Sequence, residues 1–430
     1  MSELVVSETE VTKLKNGTRV HLVPMAGTEA MTILVLYKVG SRNENAKVWG
    51  GSHFLEHLMF KGTKKRPSTL ELTQLIDQYG AEYNAYTGKD LTGYYIKIDG
   101  SKAGIAMDVL SDMLLNSLFD PKEMKKERQV IIEEIKMYEE NPRMHVEDLL
   151  EDALFAGHTL GKNIAGTAKT MMAMKRADLI AYKEQYYVPS NTVIVISGKI
   201  PADAMAQLEK TFGKAKDKKI PAAGPAFELT KPRATPRVNR QVKAVEQIQL
   251  ALGFPTVGRN HADQPAIRLL SSILGGTMSS RLFLEVREKR GLCYDVRSMV
   301  DSYDEVGTFV VRAGLDAKRI GLACDVIIKE IKKMAAKGVT TDELKKAKDH
   351  AEGVMKLALE DSSAKAEFFA RQELFFGNVK TLDQKIAELR AVTAADIARV
   401  AKEILVMSRL SVGVVGPFKT DAAVLQHIKV

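Results

Sequence analysis

His53, Glu56 and His57 stand three and four positions apart in the run His53-Phe54-Leu55-Glu56-His57. On a helix that spacing puts all three side chains on one face. Two imidazoles one turn apart can grip a zinc ion, and the carboxylate beside them can reach a water on it. The order H-x-x-E-H inverts the H-E-x-x-H helix of other zinc proteases. With only 8 histidines in 430 residues, a chance match has odds on the order of one in a hundred. The chemistry predicted is metal-assisted hydrolysis, and the segment predicts a helix to present it.

Catalytic zinc needs a third protein ligand and an open position. The best source is Glu127-Arg128-Gln129-Val130-Ile131-Ile132-Glu133-Glu134-Ile135-Lys136, a helical run of carboxylates among apolar residues. Glu127 and Glu134 are seven apart and share a face with Val130 and Ile131. Such a face suggests that both carboxylates turn inward, whereas Glu133 points to solvent. Periodicity does not separate Glu134 as a ligand from an acid on an exposed charged helix.

The elements that must position these residues occur twice. Met31 to Val39 reads as a strand ending in Val39-Gly40, and Gln247 to Val257 as a strand ending in Val257-Gly258. Near the end of each half comes a helix with Asp178 or Asp396 in its first turn. An apolar strand follows each, closing on Gly198 or Gly416. A self-similarity this long signals a duplicated domain. The expected organisation is a first domain over 1–213, a linker rich in Pro, Ala, Gly and Lys over 214–236, and a second domain over 237–430. Each half mixes β-branched strands (Tyr94 to Ile98, Thr308 to Arg312) with amphipathic helices (Ala103 to Leu115, Arg319 to Met334). The fold class predicted is α+β: two homologous α/β sandwich domains in tandem, helices packed on largely antiparallel sheets. Aligning Gly62-Thr63 with Gly276-Thr277 sets Leu270 and Ser271 opposite Glu56 and His57. The second domain therefore lacks the metal helix, and Gly275-Gly276-Thr277 ends a helix rather than forming a phosphate loop.

Three motifs, HFLEHLMFKGT (His53 to Thr63), NAYTGKD (Asn84 to Asp90) and ERQVIIEEI (Glu127 to Ile135), resemble the pitrilysin/insulinase family. The likeness is to its short branch, with mitochondrial processing peptidase β subunits and bacterial relatives, and covers essentially the full length. The resemblance implies zinc held by His53, His57 and Glu134, with Glu56 as general base and Glu127 as an auxiliary acid supporting the site. It places Asn84 and Ala85 on an edge strand to which an extended peptide adds. Val286 to Tyr294 resembles the family's Arg/Tyr motif, so Arg287 would bind substrate backbone and Tyr294 would hydrogen-bond the reacting carbonyl. Read from pattern alone, Arg287 is a surface charge and Tyr294 a core aromatic. Long members close two halves like a clamshell, and this chain is one half long. The resemblance thus implies a homodimer with Arg287 and Tyr294 supplied in trans, acting on peptides or unfolded polypeptides in a closed chamber. His158 reads as a structural loop residue. Two other readings are a non-catalytic assembly protein, whose relatives lose the metal residues intact here, and the catalytic member of a heterodimer.

Composition is that of a globular protein, 45% hydrophobic and 27% charged. The +9 formal charge lies in mixed runs such as Asp342 to Lys348, with no RNA-binding or zinc-finger signature, so no nucleic-acid partner is expected. The apolar run Met31 to Tyr37 is far too short to span a bilayer, and no membrane partner is expected. Met1 to Thr12 carries no signal or transit pattern. Cys293 and Cys324 show no metal-binding spacing and read as reduced core thiols, consistent with the cytoplasm.

Overall fold

In the computed structural model, residues 10–222, 224–229 and 232–428 are described. The start of the expected leader-free segment, residues 1–9, lies outside them, as do 223, 230 and 231 of the expected linker. Described residues between 215 and 236 form no helix or strand.

Two compact units emerge, each assembled from three stretches of chain. Unit 1 takes Met1–Ile135, Asn163–Gly224 and Lys356–Thr381; unit 2 takes Lys136–Lys162, Pro225–Met355 and Leu382–Val430. Unit 1 contains β1 (Glu10–Lys13), β2 (Arg19–Pro24), β3 (Ala30–Tyr37), β4 (Glu82–Thr87), β5 (Thr92–Asp99) and β6 (Thr192–Gly198). They form one sheet in the order β1-β2-β6-β3-β5-β4. All neighbours are antiparallel except β2 and β6. The sequence AMTILVLY makes β3 a central strand, because alternate residues are apolar on both faces. Ile33 and Val35 join one core with Leu58 and Met59 of α1 (Gly51–Met59), Leu110 of α2 (Ala103–Asn116) and Ile131 of α3 (Pro121–Glu140). Leu34 and Leu36 face the other way.

Unit 2 opens with α4 (Pro142–Leu154) and then carries β7 (Arg237–Val242), β8 (Gln247–Val257), α5 (Gln264–Ser271), β9 (Cys293–Ser302), β10 (Val306–Asp316) and β11 (Ser411–Gly416). Its sheet runs β7-β11-β8-β10-β9, with only β7 and β11 parallel. Strand for strand this is the order β2-β6-β3-β5-β4. The expected α+β class with largely antiparallel sheets is borne out.

The second face of each sheet is closed by a helix distant in the chain. Val146, Leu150 and Leu154 of α4 pack on Ala251, Val310 and Val415 of unit 2. Gly413 permits the approach, since a Cβ there would lie 2.6 Å from the Val146 carbonyl oxygen. In unit 1, Ala366, Phe369 and Leu374 of α6 (Ser362–Phe376) cover Leu34, Leu36 and Val195. Among the described residues no helix is long and apolar enough to cross a membrane.

Candidate metal centre

Helix α1 is anchored at its first turn. Gly50 precedes it with φ +91, a left-handed conformation in which a Cβ would also meet the Ala165 carbonyl oxygen at 2.6 Å. The buried carboxylate of Glu44 accepts from Gly50 N and Ser52 N, both at 2.7 Å, satisfying donors at the helix start. Burial pushes Glu44 up to about 8 against those hydrogen bonds. The helix buries Phe54, Leu55, Leu58 and Met59, which leaves His53, Glu56 and His57 together on the partly open face.

The two histidines meet edge to face, ring centroids 4.7 Å apart. Glu134, from α3, reaches both: its Oε1 lies 3.7 Å from His53 Nε2 and its Oε2 3.5 Å from His57 Nε2. One ligand atom from each of the three residues lies within 4.8 Å of the others, the only such group of metal-ligating side chains among the described residues. Two imidazole nitrogens and one carboxylate oxygen, converging on one point, match the donor set of a catalytic zinc site. The residues fit the metal that the sequence predicts.

Glu127 does not join this triangle. Its Oε2 lies 3.1 Å from His57 Nδ1, and its Oε1 accepts from Lys61 Nζ at 2.7 Å. A carboxylate on Nδ1 fixes the ring and leaves Nε2 directed at Glu134. The α3 stripe explains the division. Met124, Glu127, Ile131, Ile132 and Ile135 are buried, Glu134 sits at the stripe's margin, and Val130 falls outside it at 49% exposed. The expectation that Val130 shares the inward face fails because the buried stripe centres on the other flank. Glu133 is exposed, as expected.

Charge follows geometry. Burial, aided by the neighbouring His57, pulls His53 down to about 4. Burial also opposes protonation of His57, but hydrogen bonds to Glu127 and Glu134 outweigh it and raise it to about 9. The hydrogen bond from His57 holds Glu134 below its ordinary value. Burial raises Glu56, partly offset by a hydrogen bond from Thr87. In the metal-free chain His57 thus carries a proton where a cation would sit.

Strand β4 ends the unit 1 sheet, so one of its backbone edges has no strand partner among the described residues. Asn84 is exposed and accepts from Ala85 N at 2.9 Å; Ala85 is buried. At the end of the strand Thr87 Oγ1 donates to Glu56 Oε2 at 2.6 Å. Sequence reasoning missed Lys61 and Thr87. Lys61 stands four residues beyond His57, a spacing that could have flagged it; Thr87 lies inside the NAYTGKD run, where nothing singled it out.

In unit 2, Arg287 lies over both the Phe283 ring (4.7 Å) and the Tyr294 ring (5.1 Å). Tyr294 is 71% exposed, so the pattern-only reading of a core aromatic is wrong. Leu292, 1% exposed, takes the core position instead. His158 caps a loop, its Nδ1 accepting from Leu160 N at 3.2 Å and its Nε2 lying 3.0 Å from the Pro225 carbonyl oxygen, as a structural residue would. Cys324 is buried and Cys293 partly so, and burial lifts their thiols to about 12 and about 11. The helical turn at Ser272–Gly276 ends at Thr277, as read from its glycines.

Residues 19–168 match the family described as Insulinase (Peptidase family M16), and residues 173–350 match the Peptidase M16 inactive domain. An uncharacterized zinc protease of Bacillus subtilis is 36% identical over 390 residues, 91% of this chain and 94% of that one. The chain belongs to the insulinase family. An uncharacterized zinc protease of Streptomyces coelicolor is 34% identical over 97% of this chain and 91% of its own length. Among solved structures, a protease from Helicobacter pylori superposes on this insulinase-family chain with TM-score 0.88 at 25% identity, covering 95% of this chain and 99% of that one. A putative M16-like peptidase from Alicyclobacillus acidocaldarius shares the fold at TM-score 0.84 and 22% identity, covering 95% and 98%. The family assignment agrees with the resemblance carried by the three motifs.

Proposed function

We propose that this insulinase-family chain is a zinc-dependent endopeptidase for peptides or unfolded protein segments. The observation that carries the reading is the convergence of His53, His57 and Glu134, with ligand atoms within 4.8 Å of one another, beside the carboxylate of Glu56. Those three residues hold one zinc ion per chain. When bound, zinc polarises the scissile carbonyl and acidifies a water. Glu56 accepts the proton of the attacking water and returns it to the leaving amine. Glu127, locked by Lys61, orients His57 through Nδ1 and takes no part as a ligand.

The free edge of β4, at Asn84 and Ala85, pairs with the backbone of an extended peptide, which selects by conformation more than by sequence. Arg287 and Tyr294 contact the substrate from a partner subunit of a homodimer, enclosing the peptide in a chamber. Support for this lies in the Arg/Tyr motif, the exposure of Tyr294 and the presence of both motifs on one chain. Residues 1–213 and 237–430 are two copies of one ancestral domain joined by 214–236, a reading supported by the matching strand orders. The expected compartment is the cytoplasm.

Peptide digestion followed by mass spectrometry, with and without chelator, tests the activity. Chelator-insensitive cleavage, or none by zinc-loaded protein, refutes it. Mixing a His53→Ala chain with an Arg287→Ala chain tests sharing between subunits, since one intact composite site forms in each mixed dimer; no recovery of activity refutes the trans arrangement.

A further inference from the structure

We infer that Thr87 is a positioning residue for Glu56, tying that carboxylate to the strand on which an extended peptide adds. The inference rests on the peptidase reading above. The 2.6 Å bond from Thr87 Oγ1 is the only hydrogen bond to the Glu56 carboxylate among the described residues. Without it, a glutamate side chain with three rotatable torsions keeps only packing and the charge of His57 to favour the rotamer facing the histidines.

Both ends of this tether are braced by one short segment. Ser41 N and Arg42 N donate to the carbonyl oxygens of Gly88 and Lys89, at 3.1 and 2.8 Å, in the turn that follows Thr87. Two residues later, Glu44 accepts from Gly50 N and Ser52 N at the start of α1. Residues 41–44 therefore hold the end of β4 and the beginning of α1 at a fixed separation. Backbone bonds at Ser41 and Arg42 and the buried Glu44 carboxylate together brace the two elements that carry Thr87 and Glu56. A peptide pairing with the free edge of β4 orders the strand whose last residue holds the base. In unit 2 the contact between α5 and the edge strand is made elsewhere along the strand and reaches no carboxylate: Ser298 Oγ, in the middle of β9, donates to the carbonyl oxygen of Ser271 at 2.6 Å.

The test pairs Thr87→Val, which keeps the shape and removes the donor, with Thr87→Ser, which keeps the donor. For a chelator-sensitive peptide substrate, Thr87→Val lowers kcat by about tenfold to a hundredfold, the worth of a hydrogen bond to a charged group. KM and zinc per chain stay at wild-type values, and Thr87→Ser restores most of kcat. Crystal structures of the metal-free variants supply a readout independent of turnover: the Glu56 carboxylate leaves its position in Thr87→Val and keeps it in Thr87→Ser. A Thr87→Val chain with wild-type kcat, an unmoved Glu56, a loss that serine fails to restore, or a loss of zinc each overturns the positioning role alone. A wild-type chain that cleaves no peptide overturns the peptidase reading and this inference with it, as does a Glu56→Gln chain that cleaves normally.

Discussion

Helix α1 and strand β4 hold the same places in the unit 1 sheet order that α5 and β9 hold in unit 2. One pair presents His53, Glu56 and His57 on a partly open face. The other presents Leu270, 0% exposed, and Ser271, 6% exposed, to the core and to Ser298. Corresponding elements present a candidate metal centre in one unit and packing in the other. The difference lies in the partners each side chain finds. Glu134 and Glu127 arrive from α3, Lys61 from the turn after α1 and Thr87 from β4. Polar groups persist in a half-buried place only where such partners satisfy them.

The contrast breaks most sharply at Glu56. Glu56→Gln lowers kcat by on the order of 10²- to 10⁴-fold, the range for losing a general base, while metal analysis still finds zinc. Its positional counterpart answers differently. Leu270→Ala opens a cavity in the unit 2 core and costs about 2–5 kcal/mol, read by denaturant unfolding, with zinc stoichiometry unchanged. Loss of zinc from Leu270→Ala would undo the separation drawn between the two helices.

Glu127 sharpens the comparison inside the site. Glu127→Gln weakens zinc binding by about 10- to 100-fold because His57 loses a charged partner at Nδ1 and Lys61 loses its acid. A chain that fails to bind zinc at all would make Glu127 a ligand instead. Proton linkage gives the next effect. His57 is raised from its ordinary 6.5 to about 9. In the metal-free chain its stabilising contribution is full below 6.5 and fades as pH rises through about 9. Zinc competes for the same nitrogen, so the apparent affinity climbs about tenfold per pH unit below that value and then levels off. Calorimetry at pH 7 in buffers of different ionisation enthalpy therefore reads close to one proton released from His57 per zinc; no release would place the proton elsewhere. The smallest effect falls at Tyr294. Tyr294→Phe shifts stability by less than about 0.5 kcal/mol, since the ring is 71% exposed, and any change is confined to kinetics with peptide.

Much of the site was legible because it lies on one helix. Three residues at three- and four-residue spacing announce themselves without knowledge of the fold. The acid of the His53, His57 and Glu134 cluster was not legible in this way. Glu127 and Glu134 share a helical face, and only the approach of α3 to α1 gives one carboxylate to Nδ1 and the other to both Nε2 atoms. Family resemblance made that choice in advance; periodicity could not. Thr87 lies within NAYTGKD but 31 positions from Glu56, and no local pattern pairs the two. The strands of both sheets were readable from β-branched runs. The helices that close their second faces were not assignable, because an apolar stripe says that a helix is buried and not against which sheet.

The chain by itself determined that one order of elements recurs in its two halves, and that the first carries H-x-x-E-H on one helical face. Repeat spacing and side-chain periodicity are local properties, so they survive without coordinates. Apart from what the family resemblance implied, only tertiary structure shows which acid faces the histidines and which one steadies them, and it alone shows what holds Glu56. It also sent α4 to the second sheet and α6 to the first. Those outcomes depend on packing between segments distant in sequence, where the decisive contacts are fixed by shape and burial.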